Sequence, residues 1–413
     1  MIPNYNKRKI INDPVHGLIT IPSDLIFDLI EHPWFQRLRR IKQLGLTHYV
    51  YPSAVHNRFQ HAIGCLYLME QAIDILRSKG FAITHEEAEG VLIAILLHDI
   101  GHGPFSHTLE ESIVKGLSHE DISCYIMEEL NQEFNGRLGL AQDIFLDRYP
   151  KKFLHKLVSS QLDMDRLDYL SRDSFFTGVS EGVINTDRII KMLAIIDDEL
   201  VVEGKGIYSI EKFIVARRLM YWQVYLHKTV VSAEYMMINI LKRAKKLALE
   251  GIPLFATPAL QSFLTTQVTK ETFRSDKKWL ENFALLDDFD IFSAIKVWAT
   301  HPDRILSLLS QGLVNRKLYK AILQREPFSP DKVALIREKV MKEFGLDEEG
   351  VNYFVIEDTV SNNAYHPTHD KIKILLKNRE VVDISDASEQ LNIAVLLTTV
   401  SKNLLCFPKS III

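Results

Sequence analysis

Three features of this 413-residue chain predict a mostly α-helical fold with a small α+β lobe at the C-terminal end. Apolar positions recur at three- and four-residue spacing over residues 21–42, 62–79, 86–99, 119–132, 153–173, 187–197, 210–247 and 302–325, the period of a helix that buries one face. The tail reads differently, because residues 351–356, 372–376 and 381–384 are β-rich and separated by polar turns. No Pro- or Gly-rich linker interrupts the chain, so a helical domain over 1–329 and a lobe over 330–413 are expected to pack together. Within the helical part, short β-like pieces fall at residues 18–21, 200–202 and 207–209. The apolar end 411–413 reads as a strand or an interface element.

Composition narrows the function classes. A hydrophobic content of 47% supports a sizeable core, and the length exceeds what one core usually fills. Net charge is −4 and no dense Lys/Arg tract occurs, which disfavours a general nucleic-acid or anionic-membrane binder and leaves single-stranded nucleic acid open. The start of the chain lacks a signal-peptide core, and no stretch reaches the length of a membrane span. A cytoplasmic protein with no membrane partner is expected. Cys65, Cys124 and Cys406 have no CxxC spacing, so they are expected to be small buried hydrophobes.

The chemistry concentrates around His98-Asp99, at the end of the apolar run 91–97. His61 lies upstream, and Asp163, Asp165 and Asp168 lie downstream. Imidazole and carboxylate ligands suit a catalytic divalent ion such as Mg, Mn, Fe, Zn or Ni, and four protein ligands leave positions for water and substrate. A second pair, His369-Asp370, follows the polar, proline-containing stretch 361–367 and is assigned to chance. The first pair differs because Gly101, Gly103 and Pro104 stop its helix and His102 and His107 follow at once. His102, His107 and His119 are candidate acids or bases, since imidazole titrates near neutrality. Arg166, Tyr169 and Asp173 lie at i, i+3 and i+7 on one helix face that adjoins Asp165, Arg58 precedes His61 by three residues, and Arg217 and Lys228 flank Tyr225. Such a cation set suits a triphosphate better than a single phosphate.

His61, His98-Asp99 and Asp165 together resemble the H…HD…D signature of HD-domain metal-dependent phosphohydrolases. Residues 12–17, 35–39, 56–61 and 163–169 fall in the same order as in the deoxynucleoside triphosphate triphosphohydrolase branch, a likeness that covers roughly residues 9–230. The resemblance implies an HD-domain helical core, with its motifs over about 45–175. It implies metal ligation by His61, His98, Asp99 and Asp165. The reaction it implies converts dGTP or several dNTPs to deoxynucleoside and inorganic triphosphate.

By the same likeness, His107 protonates the leaving sugar oxygen, and His119 with Glu110 forms a carboxylate-oriented pair near His102. Glu110 departs from the aspartate of the pattern by one methylene. Arg58, Arg166, Tyr169, Arg217 and Lys228 face the phosphates. Gln43 and Asp173 hydrogen-bond the 3′ hydroxyl, while Leu44 and Tyr225 crowd the 2′ carbon against a ribonucleotide. Lys9, Ile10, Asn12, Glu31, Gln36 and Arg39 match positions that bind an activating nucleotide, GTP or a dNTP, between subunits of a dimer or tetramer. Glu31 stands there for an aspartate.

Two other readings stay open at the level of sequence. A different HD phosphohydrolase, a nucleotidase or phosphodiesterase, shares the metal site but has no need of five phosphate-facing groups. No Gly-Tyr-Pro motif of the cyclic-dinucleotide branch occurs. A non-catalytic nucleotide sensor is expected to lack metal ligands or catalytic histidines, and here all are present.

Overall fold

The computed structural model describes residues 9–105, 116–362, 365, 371–388 and 399–412. Its elements run in chain order from a hairpin of β1 (Ile10–Asp13) and β2 (Gly17–Thr20) into α1 (Asp24–Glu31) and α2 (Pro33–Gln36). Next come α3 (Arg58–Ser78), α4 (His85–Leu97), α5 (His119–Glu133), α6 (Gly139–Phe145), α7 (Lys152–Val158), α8 (Met164–Thr177) and α9 (Thr186–Lys191). The strands β3 (Leu193–Ile196) and β4 (Glu199–Glu203) lead to α10 (Ile207–Met220), a π-helical turn at Tyr221–Tyr225 and α11 (Lys228–Leu249).

Helix α4 is the axis of the core. Ala88 and every residue from Val91 to Leu97 are buried, so the helix is apolar on all sides and must be surrounded. Its start is set by a capping box between Thr84 and Glu87. Helix α3 packs on it and begins with its own box between Asn57 and Gln60. Both ladders therefore start at defined residues, and that registers His61 and His98 against each other.

Several stretches fold differently from what their local pattern predicts. The periodic stretch 153–173 is two helices, because Asp163 caps α8 by accepting from the Arg166 and Ser160 amides. The stretch 187–197 is α9 followed by β3, which pairs antiparallel with β4. The stretch 302–325 ends as a helix at Val314, and Lys320–Gln324 forms β5 against β9 (Val400–Phe407). The β-like piece 207–209 opens α10 instead. Burial of Ile210, Phe213 and Ile214 along one helical face outweighs the strand preference of a three-residue segment.

Residues after 330 contribute α17 (Pro330–Phe344), β6 (Ile356–Asn362), β7 (Lys373–Leu375) and β8 (Val381–Asp383). Here α12–α16 are the intervening helices Pro258–Thr265, Lys270–Ser275, Lys277–Leu285, Asp288–Trp298 and Arg304–Val314. Strand β7 runs parallel to β4, and β9 lies between β5 and β6. Two sheets thus join this segment to the earlier chain. Residues 351–353, expected as strand, form a 3₁₀ turn before β6. Ile411 is buried without being a strand residue, and Ile412 is exposed.

One buried cation ties the peripheral helices to the core. Arg37 is fully buried and donates through Nη2 to the carbonyls of Ile100 (2.8 Å) and His102 (3.0 Å), and through Nη1 to that of Leu286 (3.1 Å). Burial pushes its pKa down to about 9. Replacing Arg37 with alanine strands three carbonyls, so a loss of about 3 kcal/mol is expected in urea unfolding. The half-exposed Arg40, which pairs with Asp287, is expected to cost under about 1 kcal/mol when replaced.

Candidate metal centre and active site

The last turns and first turns of three helices meet at one point. His61 lies in the first turn of α3, His98-Asp99 follows α4, and Asp165 lies in the first turn of α8. Asp165 Oδ1 is 3.1 Å from His61 Nε2 and 3.6 Å from His98 Nε2. Asp99 Oδ1 lies 3.4 Å from His98 Nε2, and Asp99 Oδ2 lies 3.8 Å from His61 Nε2. Each histidine spends its other nitrogen on an acceptor. His61 Nδ1 is 2.7 Å from Asp168 Oδ2, and His98 Nδ1 is 2.6 Å from the Ile95 carbonyl. That arrangement turns both Nε2 lone pairs to the same space. His98 Nε2 is buried with no hydrogen-bond partner among the described residues, an arrangement that suits a cation and is costly without one.

Cys65 also reaches this point, and His61, Cys65, His98 and Asp165 form the compact group that could hold a metal ion. Its Sγ is nearly equidistant from the two ring nitrogens of His61, at 3.5 and 3.6 Å. It therefore lies off the Nε2 lone-pair direction. Burial also pushes its thiol well up, away from the thiolate a metal binds. Asp99 is the better fourth group, because burial is outweighed by His102, His98 and Arg58 and its carboxyl stays well below the usual range. Arg58 Nη1 donates to Asp99 Oδ2 at 2.5 Å.

A cleft of about 750 Å³ opens over this cluster and is lined by Gln43, Arg58, His102, His119, Arg166, Tyr169 and Tyr221 as well as His98, Asp99 and Asp165. His102 and His119 stack with ring centroids 3.8 Å apart. Gly101 makes this possible, since a Cβ there would lie 2.1 Å from the His119 carbonyl. The Gly101 amide instead donates to Ser123 Oγ, which donates to the His98 carbonyl. Burial and then Arg58 push His102 down to about 3, so it is neutral near physiological pH. Arg166 is anchored by its Nε on the Ser160 carbonyl at 2.6 Å.

Asp173 is buried beyond Tyr169 on α8, accepting from Tyr225 Oη at 2.7 Å and lying 2.8 Å from His56 Nε2. Tyr225 comes from the π-helical turn and meets Tyr169 edge to face at 6.2 Å. Leu44 is half-buried beside Gln43. Arg217 is buried in the last turn of α10, and Lys228 is exposed at the start of α11. His107 and Glu110 lie outside the described residues.

The effector candidates lie on and just before β1, at the end of α1 and in and just after α2. Ile10 and Asn12 are exposed on β1, and Lys9 lies over the Phe27 ring at 4.6 Å. Arg39 donates to Gln36 Oε1 and covers the Phe59 ring at 3.5 Å, and Glu31 is exposed at the end of α1.

Comparison with known proteins gives this geometry a lineage. Residues 58–173 match the HD domain, and residues 184–251 match the HD associated region. A crystal structure of a phosphohydrolase from Bacteroides thetaiotaomicron is 54% identical with a TM-score of 0.95, covering 98% of this chain and 100% of that one. The uncharacterized protein YwfO of Bacillus subtilis is 34% identical over 397 residues, 93% of this chain and 88% of its own length. The chain belongs to the HD-domain family of metal-dependent phosphohydrolases. The deoxynucleoside triphosphate triphosphohydrolase SAMHD1 homolog of Dictyostelium discoideum is 35% identical over 263 residues, 58% of this chain and 51% of that protein. No described helix of this HD-domain protein is long and apolar enough to cross a membrane.

Sequence reasoning missed several groups in this HD site. His56 lies within the 56–61 motif but was given no role, and Tyr221 reaches the cleft through a π turn that no periodicity announces. Asp168 lies in the acidic cluster and in the 163–169 motif, without a role assigned from sequence. In the structure it is fully buried and also holds Arg172, through Nε at 2.9 Å and Nη2 at 3.0 Å. Gly64 has one turn of α3 facing this pair, and a Cβ there would lie 2.0 Å from Asp168 Oδ1 and 2.3 Å from Arg172 Nη2.

Two outcomes follow from this geometry. Gly64→Ala is expected to lower stability by about 3 kcal/mol in urea unfolding, because neither buried partner can step aside. Burial is outweighed at His61 by Cys65, Asp165 and Asp168 and at His98 by Asp99 and Asp165, which raises both imidazoles above their usual value in the metal-free protein. Metal and proton compete for the same nitrogens. Apparent Mn²⁺ affinity is therefore expected to rise with pH through that raised range, with net proton release in calorimetry.

Proposed function

We propose that this phosphohydrolase acts on deoxynucleoside triphosphates, releasing the deoxynucleoside and inorganic triphosphate. The observation that carries the reading is the set of buried polar atoms around one cleft with no partner among the described residues. His98 Nε2, Gln43 Oε1, His102 Nδ1 and Tyr169 Oη are all of this kind. Buried polar atoms are ordinarily paired, so a cleft ringed by unpaired ones is built for a polar ligand. The SAMHD1 relatives supply the class of that ligand.

In this reading His61, His98, Asp99 and Asp165 hold the divalent ion. When bound, it supplies positive charge to the phosphate oxygens and lowers the pKa of water. Arg58 holds Asp99 and adds charge of its own, while Arg166, Tyr169, Arg217 and Lys228 take the remaining phosphate oxygens. Neutral His102 can accept a hydrogen bond at Nδ1, and His119 stacked on it keeps its ring in place. His107 donates to the leaving sugar oxygen, with Glu110 orienting His119. At the sugar end, Gln43 and Asp173 recognise the 3′ hydroxyl, and Leu44 and Tyr225 exclude a 2′ hydroxyl. Asp173 is held for this by His56.

Regulation belongs to the same proposal. Lys9, Ile10, Asn12, Glu31, Gln36 and Arg39 form an effector site for GTP or a dNTP at a subunit interface of a dimer or tetramer. The Arg39–Gln36 bond presents the two side chains together on an exposed corner. The helical domain 1–329 carries both sites, and the 330–413 lobe braces it.

Purified protein incubated with each dNTP and with GTP, singly and in mixtures with Mn²⁺, is expected to give deoxynucleoside and triphosphate on ion-exchange chromatography. Pyrophosphate with dNMP as products, or no turnover in any mixture, contradicts the reading. Arg166→Ala is expected to lower kcat/KM by ~10²–10³. Gln43→Ala is expected to narrow the preference for dNTP over NTP, and an unchanged ratio argues against the sugar assignment.

A further inference from the structure

The hairpin at residues 10–20 docks on the HD core chiefly through polar groups. Ile10 and Leu18 are 62% and 65% exposed, and Ile19 is its one fully buried apolar side chain. Its turn instead inserts Asp13 and His16 between α3 and α8. Asp13 accepts from the Val15 and His16 amides through Oδ1, which shapes the turn, and from Arg172 Nη1 through Oδ2 at 2.7 Å. His16 lies against Tyr67 of α3 and places Nε2 2.7 Å from Asp168 Oδ1. The other oxygen of Asp168 holds His61 Nδ1. One carboxylate therefore bridges the hairpin and a metal-facing histidine.

We propose that the hairpin is a clamp on the metal centre, in which His16 is a positioning residue that holds His61 through Asp168, so that hairpin docking and metal binding strengthen each other. A two-stranded hairpin is marginal on its own, so its order depends on these contacts. Asp168 takes four donors, two from Arg172 and one from each histidine. With His16 withdrawn, the carboxylate regains freedom to swing about its remaining donors, and His61 loses its fixed tautomer and ring angle. Outer groups of this kind typically contribute 10–100-fold to metal affinity. Linkage requires the reverse effect to be equal, so bound metal resists undocking of the hairpin by the same factor.

The test uses metal-stripped full-length protein, with free Mn²⁺ followed by electron paramagnetic resonance. His16→Ala is expected to weaken Mn²⁺ binding by about tenfold. His16→Gln keeps an N–H donor toward Asp168 and is expected to recover most of that loss, which a merely structural role would not predict. In the wild-type protein, hydrogen exchange at the Ile11 and Ile19 amides is expected to slow about tenfold on adding Mn²⁺, with the β5–β9 amides unchanged. Wild-type affinity in His16→Ala, or hairpin exchange indifferent to Mn²⁺, overturns the proposal. If His16→Ala does not fold, the exchange measurement on the wild-type chain decides alone.

Discussion

The buried carboxylate of Asp168 is the constraint around which the rest of the site is arranged. It is fully buried, yet burial is outweighed by Arg172, His16 and His61 and it stays ionised. An unpaired charge in that position costs several kcal/mol, and here each oxygen takes two donors. The consequence reaches outward in both directions. Toward the centre, it fixes the tautomer of His61 and aims Nε2 at Asp165 and Asp99. Toward the periphery, it demands a helix without a Cβ at Gly64 and a counter-charge from Arg172, which Asp13 holds from its other side.

The cleft shows the opposite bookkeeping. Where four donors meet the two oxygens of Asp168, the wall of the cleft holds several buried polar atoms with no partner among the described residues. Such atoms destabilise the empty protein, and rule-breaking of this kind concentrates at functional sites. The fold tolerates it because the surrounding supports are strong: the apolar sheath around α4, the capping boxes of α3, α4 and α5, and Arg37 bonded to the carbonyls that flank the His98–His102 turn. The chemistry sits on helix ends, where a residue can face a cleft without interrupting a ladder.

Much of this was legible in the sequence, and the reasons differ by residue. His61, His98, Asp99 and Asp165 stood out because ligand types adjoin apolar helical runs at ordered spacing. The mainly helical class followed from periodicity summed over long windows. Short segments defeated the same reasoning: residues 207–209 look extended locally but fold into α10 because packing of later residues decides, and β5 was hidden in the tail of a periodic stretch. Long-range partners were invisible in principle. Residues 12–17 carry part of the resemblance, yet nothing in them announces that His16 reaches Asp168 or Asp13 reaches Arg172, each more than 150 positions away, and nothing near Arg37 announces Leu286. Cys65 was read as a plain buried hydrophobe, which its burial supports, though it proves to lie against His61.

The measurement that reaches the centre of this account is metal content and affinity in Asp168→Asn. An amide of the same shape has one acceptor oxygen where the carboxylate has two, and it cannot match both Arg172 and His61. The account predicts a chain that binds Mn²⁺ at least ~10-fold more weakly than wild type, with hydrolysis falling in step. One tightly bound Mn²⁺ per chain at wild-type affinity would show that the metal centre organises itself without Asp168, and would contradict the account.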